Sequence, residues 1–259
     1  MRWTHFITAG FTFQPESSTL DRKMDVCYHQ EKHPEGVGVM LKYRCLVLDH
    51  DDTVVQSEKT IGYPCFCKTL QRLRPDAVLT FEEYVMGCHN LGFVAMCREK
   101  WNFSDEELQE EYQDWMDYVR EHEPSIFPGI DRVIRQQREE GGVICVVSHS
   151  SSQTIARAYD VHIGIQPDVI YGCDLPKDQQ KPNAFPLQDI MNRFNLKPEE
   201  ILVVDDMKLG WQMAKPLGVP IGYAAWSKSD FPDLSEEMRR LCDYSFDTVR
   251  DLESFLFDA

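Results

Sequence analysis

The chain has 259 residues, 42% of them hydrophobic and 27% charged, which is enough for one large domain, or a domain with an insert, around a sizeable core. Its 27 basic residues against 43 acidic ones give a net charge of −16, which argues against a nucleic-acid partner. No apolar stretch reaches membrane-spanning length, and nine scattered cysteines without a paired zinc spacing suit a reducing compartment, so the sequence reads as cytoplasmic with no membrane partner.

Residues 1–40 are polar and lack sustained periodicity, which predicts a flexible N-terminal extension. They carry no signal-peptide pattern, and Met40, directly before the first apolar run, is the expected functional start. From there "YRCLVLD" (43–49), "GVICVVS" (142–148) and "EILVVDD" (200–206) are short aliphatic runs, each ending in a polar residue. Runs of this kind predict strands covered on both faces, as in a parallel sheet.

Between the first two runs lies a stretch without a convincing strand. "TFEEYVMGCHNLGF" (80–94) and "SDEELQEEYQDWMDYVREH" (104–122) open with Thr80/Glu83 and Ser104/Glu107 in capping-box spacing. Leu108, Tyr112, Trp115 and Val119 form an apolar stripe on the second, read as packing. This predicts a helical insert. Its Lys68, Arg72, Arg74, Arg98 and Lys100 read first as solvated surface charges, and second as contacts for an anionic substrate.

Further helices are predicted over 129–142, 186–196 and 249–257, and further strands at 219–226 and 243–247. Strands alternating with helices predict an α/β fold with a doubly wound parallel sheet.

In such a sheet ligands bind beyond the carboxyl ends of the strands. There the fold would gather Asp49 and Asp51, Ser148, Asp205 and Asp206, with Lys181 from the loop "DQQKPNAFP". Clustered carboxylates without paired His or Cys call for a hard cation, Mg²⁺. A hydroxyl, backbone amides and an ammonium can hold the remaining oxygens of a phosphate. A carboxylate is then a candidate nucleophile, and a second one two residues on a candidate acid/base.

These stretches resemble, in order, the four motifs of the haloacid dehalogenase-like hydrolases: "LVLDHDDT", "VICVVSHS", "KP" at 181–182 and "ILVVDDMKLG". The resemblance spans roughly residues 41–257. It implies a Rossmann-like core formed by 41–58 and 128–259, and a small inserted α-helical cap at 59–127. It implies Asp49 as nucleophile and metal ligand, and Asp51 as acid/base that also binds metal through its backbone carbonyl. Ser148, His149 through its backbone amide, and Lys181 would contact phosphate, and Asp205 and Asp206 would hold Mg²⁺.

The implied activity is a Mg²⁺-dependent phosphomonoesterase acting on a small phosphorylated metabolite, as a monomer or homodimer. A sugar phosphomutase, with His89 as its candidate proton shuttle, and a non-catalytic binding protein on this fold are the alternatives. One position departs from the family pattern. Where glycine is often found the chain has Asp52, expected near the mouth of the site without a catalytic role.

Overall fold

The computed structural model describes residues 41–258. The expectations for residues 1–40, the extension and the start at Met40, lie outside the described residues.

Six parallel strands form one sheet: β1 (Cys45–Leu48), β2 (Val143–Val147), β3 (Val169–Tyr171), β4 (Ile201–Asp205), β5 (Ile221–Ala224) and β6 (Tyr244–Phe246). Their order is β3-β2-β1-β4-β5-β6. The chain winds outward from β1 in one direction, then returns to β4 on its other side and winds the opposite way. The switch point therefore lies between β1 and β4, where Leu48 pairs with Val204.

Successive strand residues serve opposite faces, so continuous aliphatic runs feed two cores. Leu46, Leu48, Ile144, Val146, Leu202 and Val204 belong to one. Three helices contribute to it: α5 (Ile130–Glu139), α6 (Ser152–Ala158) and α10 (Val249–Phe257). Cys45, Val47, Cys145, Val147, Ile201 and Val203 belong to the other. They pack there with α7 (Phe185–Phe194) and α8 (Lys208–Ala214).

Between β1 and α5 the chain is helical. A π-helical turn at Glu58–Gly62 runs into α1 (Tyr63–Leu73), followed by α2 (Phe81–Leu91), α3 (Phe93–Trp101) and α4 (Asp105–Glu121). Both predicted capping boxes form, at Thr80/Glu83 and Ser104/Glu107. The helix expected over 80–94 stops early because Gly92 takes a positive φ of 81°, after which α3 begins. On α4 the buried residues are Glu111 and Val119, while Tyr112 turns outward at 36% exposure. Val119 and Leu108 of the predicted stripe pack inward as expected, whereas Tyr112 does not, and Glu111 beside it is buried instead.

A third core joins this helical segment to the sheet edge. Phe66, Leu70, Tyr84, Val85, Met96 and Phe103 pack with Tyr223 of β5 and with Leu234 and Met238 of α9 (Pro232–Leu241). The segment is held by apolar contact over the carboxyl ends of β4 and β5. Among the described residues no helix is long and apolar enough to cross a membrane.

Candidate active site

The amide of Asp49 donates to the Val204 carbonyl at 2.9 Å, extending the β1–β4 pairing one residue past β1. Asp49 is thereby set beside Asp205, the last residue of β4, at the switch point. Across the sheet Ser148 extends β2 in the same way, its amide donating to the Tyr171 carbonyl at 2.9 Å. The predicted residues from four separate stretches meet here.

Lys181 closes the group. Its Nζ donates to Asp49 Oδ1 at 2.5 Å and to Asp205 Oδ2 at 2.9 Å. All three side chains are buried, with Asp49 4% exposed and Lys181 6%. Burial disfavours the ammonium, but Asp205 and Asp49 overcome it and hold Lys181 charged above the ordinary lysine range.

Burial also pushes Asp49 up to about 7, with Asp205 and Asp51 adding to the rise and Lys181 opposing it. Asp205 is raised by burial and by Asp206 against the pull of Lys181. Asp206 is raised to about 6, burial again being the largest cause. Lys181 and a second buried lysine, Lys228, are two positive charges against the buried acids Asp49, Asp52, Asp205 and Asp206.

Asp51 differs. Its Oδ1 accepts from Ser57 Oγ at 2.8 Å, and its Oδ2 from Ser150 Oγ at 2.6 Å and Ser148 Oγ at 3.1 Å. Burial works against its ionisation, but His50 and the three hydroxyls hold it below the ordinary carboxylate range. The Ser148 hydroxyl, a predicted phosphate contact, is here committed to Asp51.

Ser57 and Ser150 stand outside the motif positions. Ser150 lies two residues from Ser148 in the run "SHSSS", and Ser57 follows the first motif at loop distance, so proximity to the motifs was the available signal. The His149 ring bonds the Lys181 carbonyl at 2.8 Å and so fixes the loop that carries the lysine. Gly210 lets α8 approach closely, since a Cβ there would overlap the Asp205 carboxylate.

Asp52 now has an account. Its φ is 54°, a left-handed conformation that favours glycine and that Asp tolerates. Its Oδ1 accepts from the amides of Ser57 and Glu58 at 3.1 and 3.0 Å, capping the start of the helical segment. Its Oδ2 accepts from Lys228 at 2.7 Å. No sequence-local signal marks Lys228, which sits in the loop after β5.

The helical segment's cations are largely engaged with one another's neighbours. Arg72 pairs with Glu110 and Asp114, Arg74 with Glu107, and Arg98 with Asp105. Lys68 lies over the Tyr118 ring, and Lys100 reaches the Glu83 carbonyl. His89 is buried on α2 and donates to Glu237 of α9 at 3.0 Å, a tie between helices.

A divalent metal suits this edge. Asp49, Asp205 and Asp206 each present an oxygen, all within 4.8 Å of one another. Asp206 is buried, and its Oδ2 faces the ammonium of Lys228, from the loop after β5, at 2.7 Å. Hard oxygen donors short of positive charge match Mg²⁺ rather than a softer ion.

The sequence pattern of the haloacid dehalogenase-like hydrolases matches residues 46–224. No curated protein matches. A predicted phosphoglycolate phosphatase from Haemophilus somnus superposes with a TM-score of 0.64 at 17% identity, covering 83% of this chain and 99% of its own. A mutant of CbbY from Rhodobacter sphaeroides, in complex with xylulose-(1,5)bisphosphate, gives 0.61 at 16% identity, covering 81% and 95%. A haloacid dehalogenase-like family hydrolase from Streptococcus pneumoniae gives 0.65 at 17% identity, covering 83% and 98%.

Proposed function

Because the chain belongs to the haloacid dehalogenase-like hydrolases, we propose that it is a Mg²⁺-dependent phosphomonoesterase acting on a small phosphorylated metabolite. The observation that carries this reading is the meeting of Asp49, Lys181 and Asp205 at the sheet's switch point, with Lys181 bonded to both acids.

In this mechanism an Asp49 oxygen bonds to phosphorus as the ester oxygen leaves, giving an aspartyl-phosphate. Asp51 donates a proton to the leaving oxygen. Water then attacks the phosphoryl group and gives a proton to Asp51 as the bond from Asp49 to phosphorus breaks, which restores the Asp49 carboxylate and releases inorganic phosphate. The hydroxyls around Asp51 hold it ionised at rest; the negative charge of an arriving phosphate raises its proton affinity, and Asp51 takes up from solvent the proton it then gives to the leaving oxygen. Lys181 orients Asp49 and neutralises charge beside it. Asp49, Asp205 and Asp206 would hold Mg²⁺, with the Asp51 carbonyl by family resemblance, and the ion supplies charge neutralisation at the phosphoryl oxygens.

We read the segment at 59–127 as a cap that excludes water from this edge. The buried tie of His89 to Glu237 gives no support to a mutase shuttle at that residue. The eight described cysteines are all free, which suits the reducing cytoplasm.

The test is a panel of phosphorylated metabolites with and without Mg²⁺, run on the wild type and Asp49→Asn. Phosphate release that needs both Mg²⁺ and Asp49 is expected, with a loss of at least about 10³-fold in the variant. Turnover retained in Asp49→Asn would overturn the assignment.

A further inference from the structure

Lys228 has no part in the mechanism above, yet it is fully buried at the same edge. Its Nζ lies 2.7 Å from Asp52, 2.9 Å from Glu58 and 2.7 Å from Asp206. A buried ammonium is costly unless carboxylates surround it, and here three do. Burial disfavours its charge, but Asp206, Glu58 and Asp52 outweigh that and hold the ammonium form well above the ordinary lysine range.

The described residues contain two sets of acids close enough to share one cation. One is Asp49, Asp205 and Asp206; the other is Asp52, Glu58 and Asp206. Asp206 belongs to both. In the second set a cation is already in place, carried by the chain itself.

We propose that Lys228 is a tethered cation that fills the second acid set, limiting this edge to one divalent ion and weakening the hold of Asp206 on that ion. The inference rests on the reading of Asp49, Asp205 and Asp206 as metal acids. The observation behind it is geometric: the ammonium lies within 2.9 Å of a carboxylate oxygen of each of the three acids of the second set, Asp206 among them.

The tether has a structural consequence. Glu58 opens the helical segment while Asp52 and Asp206 belong to loops after β1 and β4. An exchangeable metal there would make the segment's seating depend on metal supply. A covalently attached ammonium does not. Lys228 is thus a positioning residue that touches no reacting atom.

The experiment is Mn²⁺ binding to the full chain, by calorimetry and by the paramagnetic resonance of free Mn²⁺. Wild type is expected to bind one ion. Lys228→Met is expected to bind two, with the first held about tenfold more tightly because a neighbouring positive charge is gone. The double variant Asp52→Asn with Lys228→Met, which lightens the second set, should return to one ion. If Lys228→Met is unfolded without metal, saturating Mn²⁺ should refold it, and failure to do so overturns the proposal. Unchanged stoichiometry and affinity in Lys228→Met overturns the role of Lys228 alone, whereas no Mn²⁺ binding by any of these proteins removes the metal reading beneath it.

Discussion

Two buried lysines sit among carboxylates at one sheet edge, and they are held in different ways. Lys181 bonds Asp49 and Asp205, which terminate neighbouring strands and are placed by backbone pairing. Lys228 gathers Asp52, Glu58 and Asp206, which come from a loop, the first turn of the helical segment and a second loop. Loss of Lys181 should therefore strike the chemistry, and loss of the Lys228 set should strike the seating of the helices.

Asp49→Asn, with the largest expected effect, removes the proposed nucleophile and should leave the protein folded. Lys181→Met should follow. It leaves Asp49 and Asp205 buried without their cation, so activity should fall by about 10²-fold or more. The same change should cost about 3–5 kcal/mol of stability, measured by denaturant unfolding. Full activity in that variant would show that the two lysines are equivalent structural counter-charges.

On the other side of the comparison, Asp52→Asn keeps the size and left-handed tolerance of the residue but removes its charge. About 1–3 kcal/mol of stability should be lost, with a much smaller drop in turnover than for Lys181→Met. Equal losses of turnover in the two variants would erase the division of labour.

The smallest effect is expected at Glu111, a buried acid of the helical segment without a lysine. Burial raises it from 4.5 to about 7, with Asp114 adding to the rise. The folded protein then keeps a proton that the unfolded chain releases, so stability falls as pH rises from about 4.5 to about 7 and is level above. Glu111→Gln should remove that slope. Its gain in stability should be largest at pH 8, on the order of 1–3 kcal/mol, and vanish below about pH 4. A gain that does not change with pH would refute the titration.

Much of the fold was legible because aliphatic runs covered on both faces are a strong signal. The cores of β1, β2 and β4 fall inside their predicted runs, and α10 occupies 249–257 as expected. β3 was missed. At three residues, only Tyr171 of them buried, it is an edge strand too short to show a pattern. The burial of Glu111 was also illegible, because a stripe of Leu108, Tyr112, Trp115 and Val119 looks self-sufficient until the segment's packing places Glu111 inside.

The same boundary runs through the candidate site. By itself the sequence determined that Asp49, Ser148 and Asp205 lie at strand ends, because strand period and parallel topology fix where such residues emerge. It also placed three aspartates after β1 without saying which were alike. Only the tertiary structure decided that Asp49 faces Lys181, that Asp51 is wrapped in hydroxyls, and that Asp52 answers Lys228 across 176 residues of chain. The physical reason is range. Strand pattern is set by neighbours along the chain, whereas the pairing of a buried charge is set by a few ångströms between loops that the sequence leaves far apart.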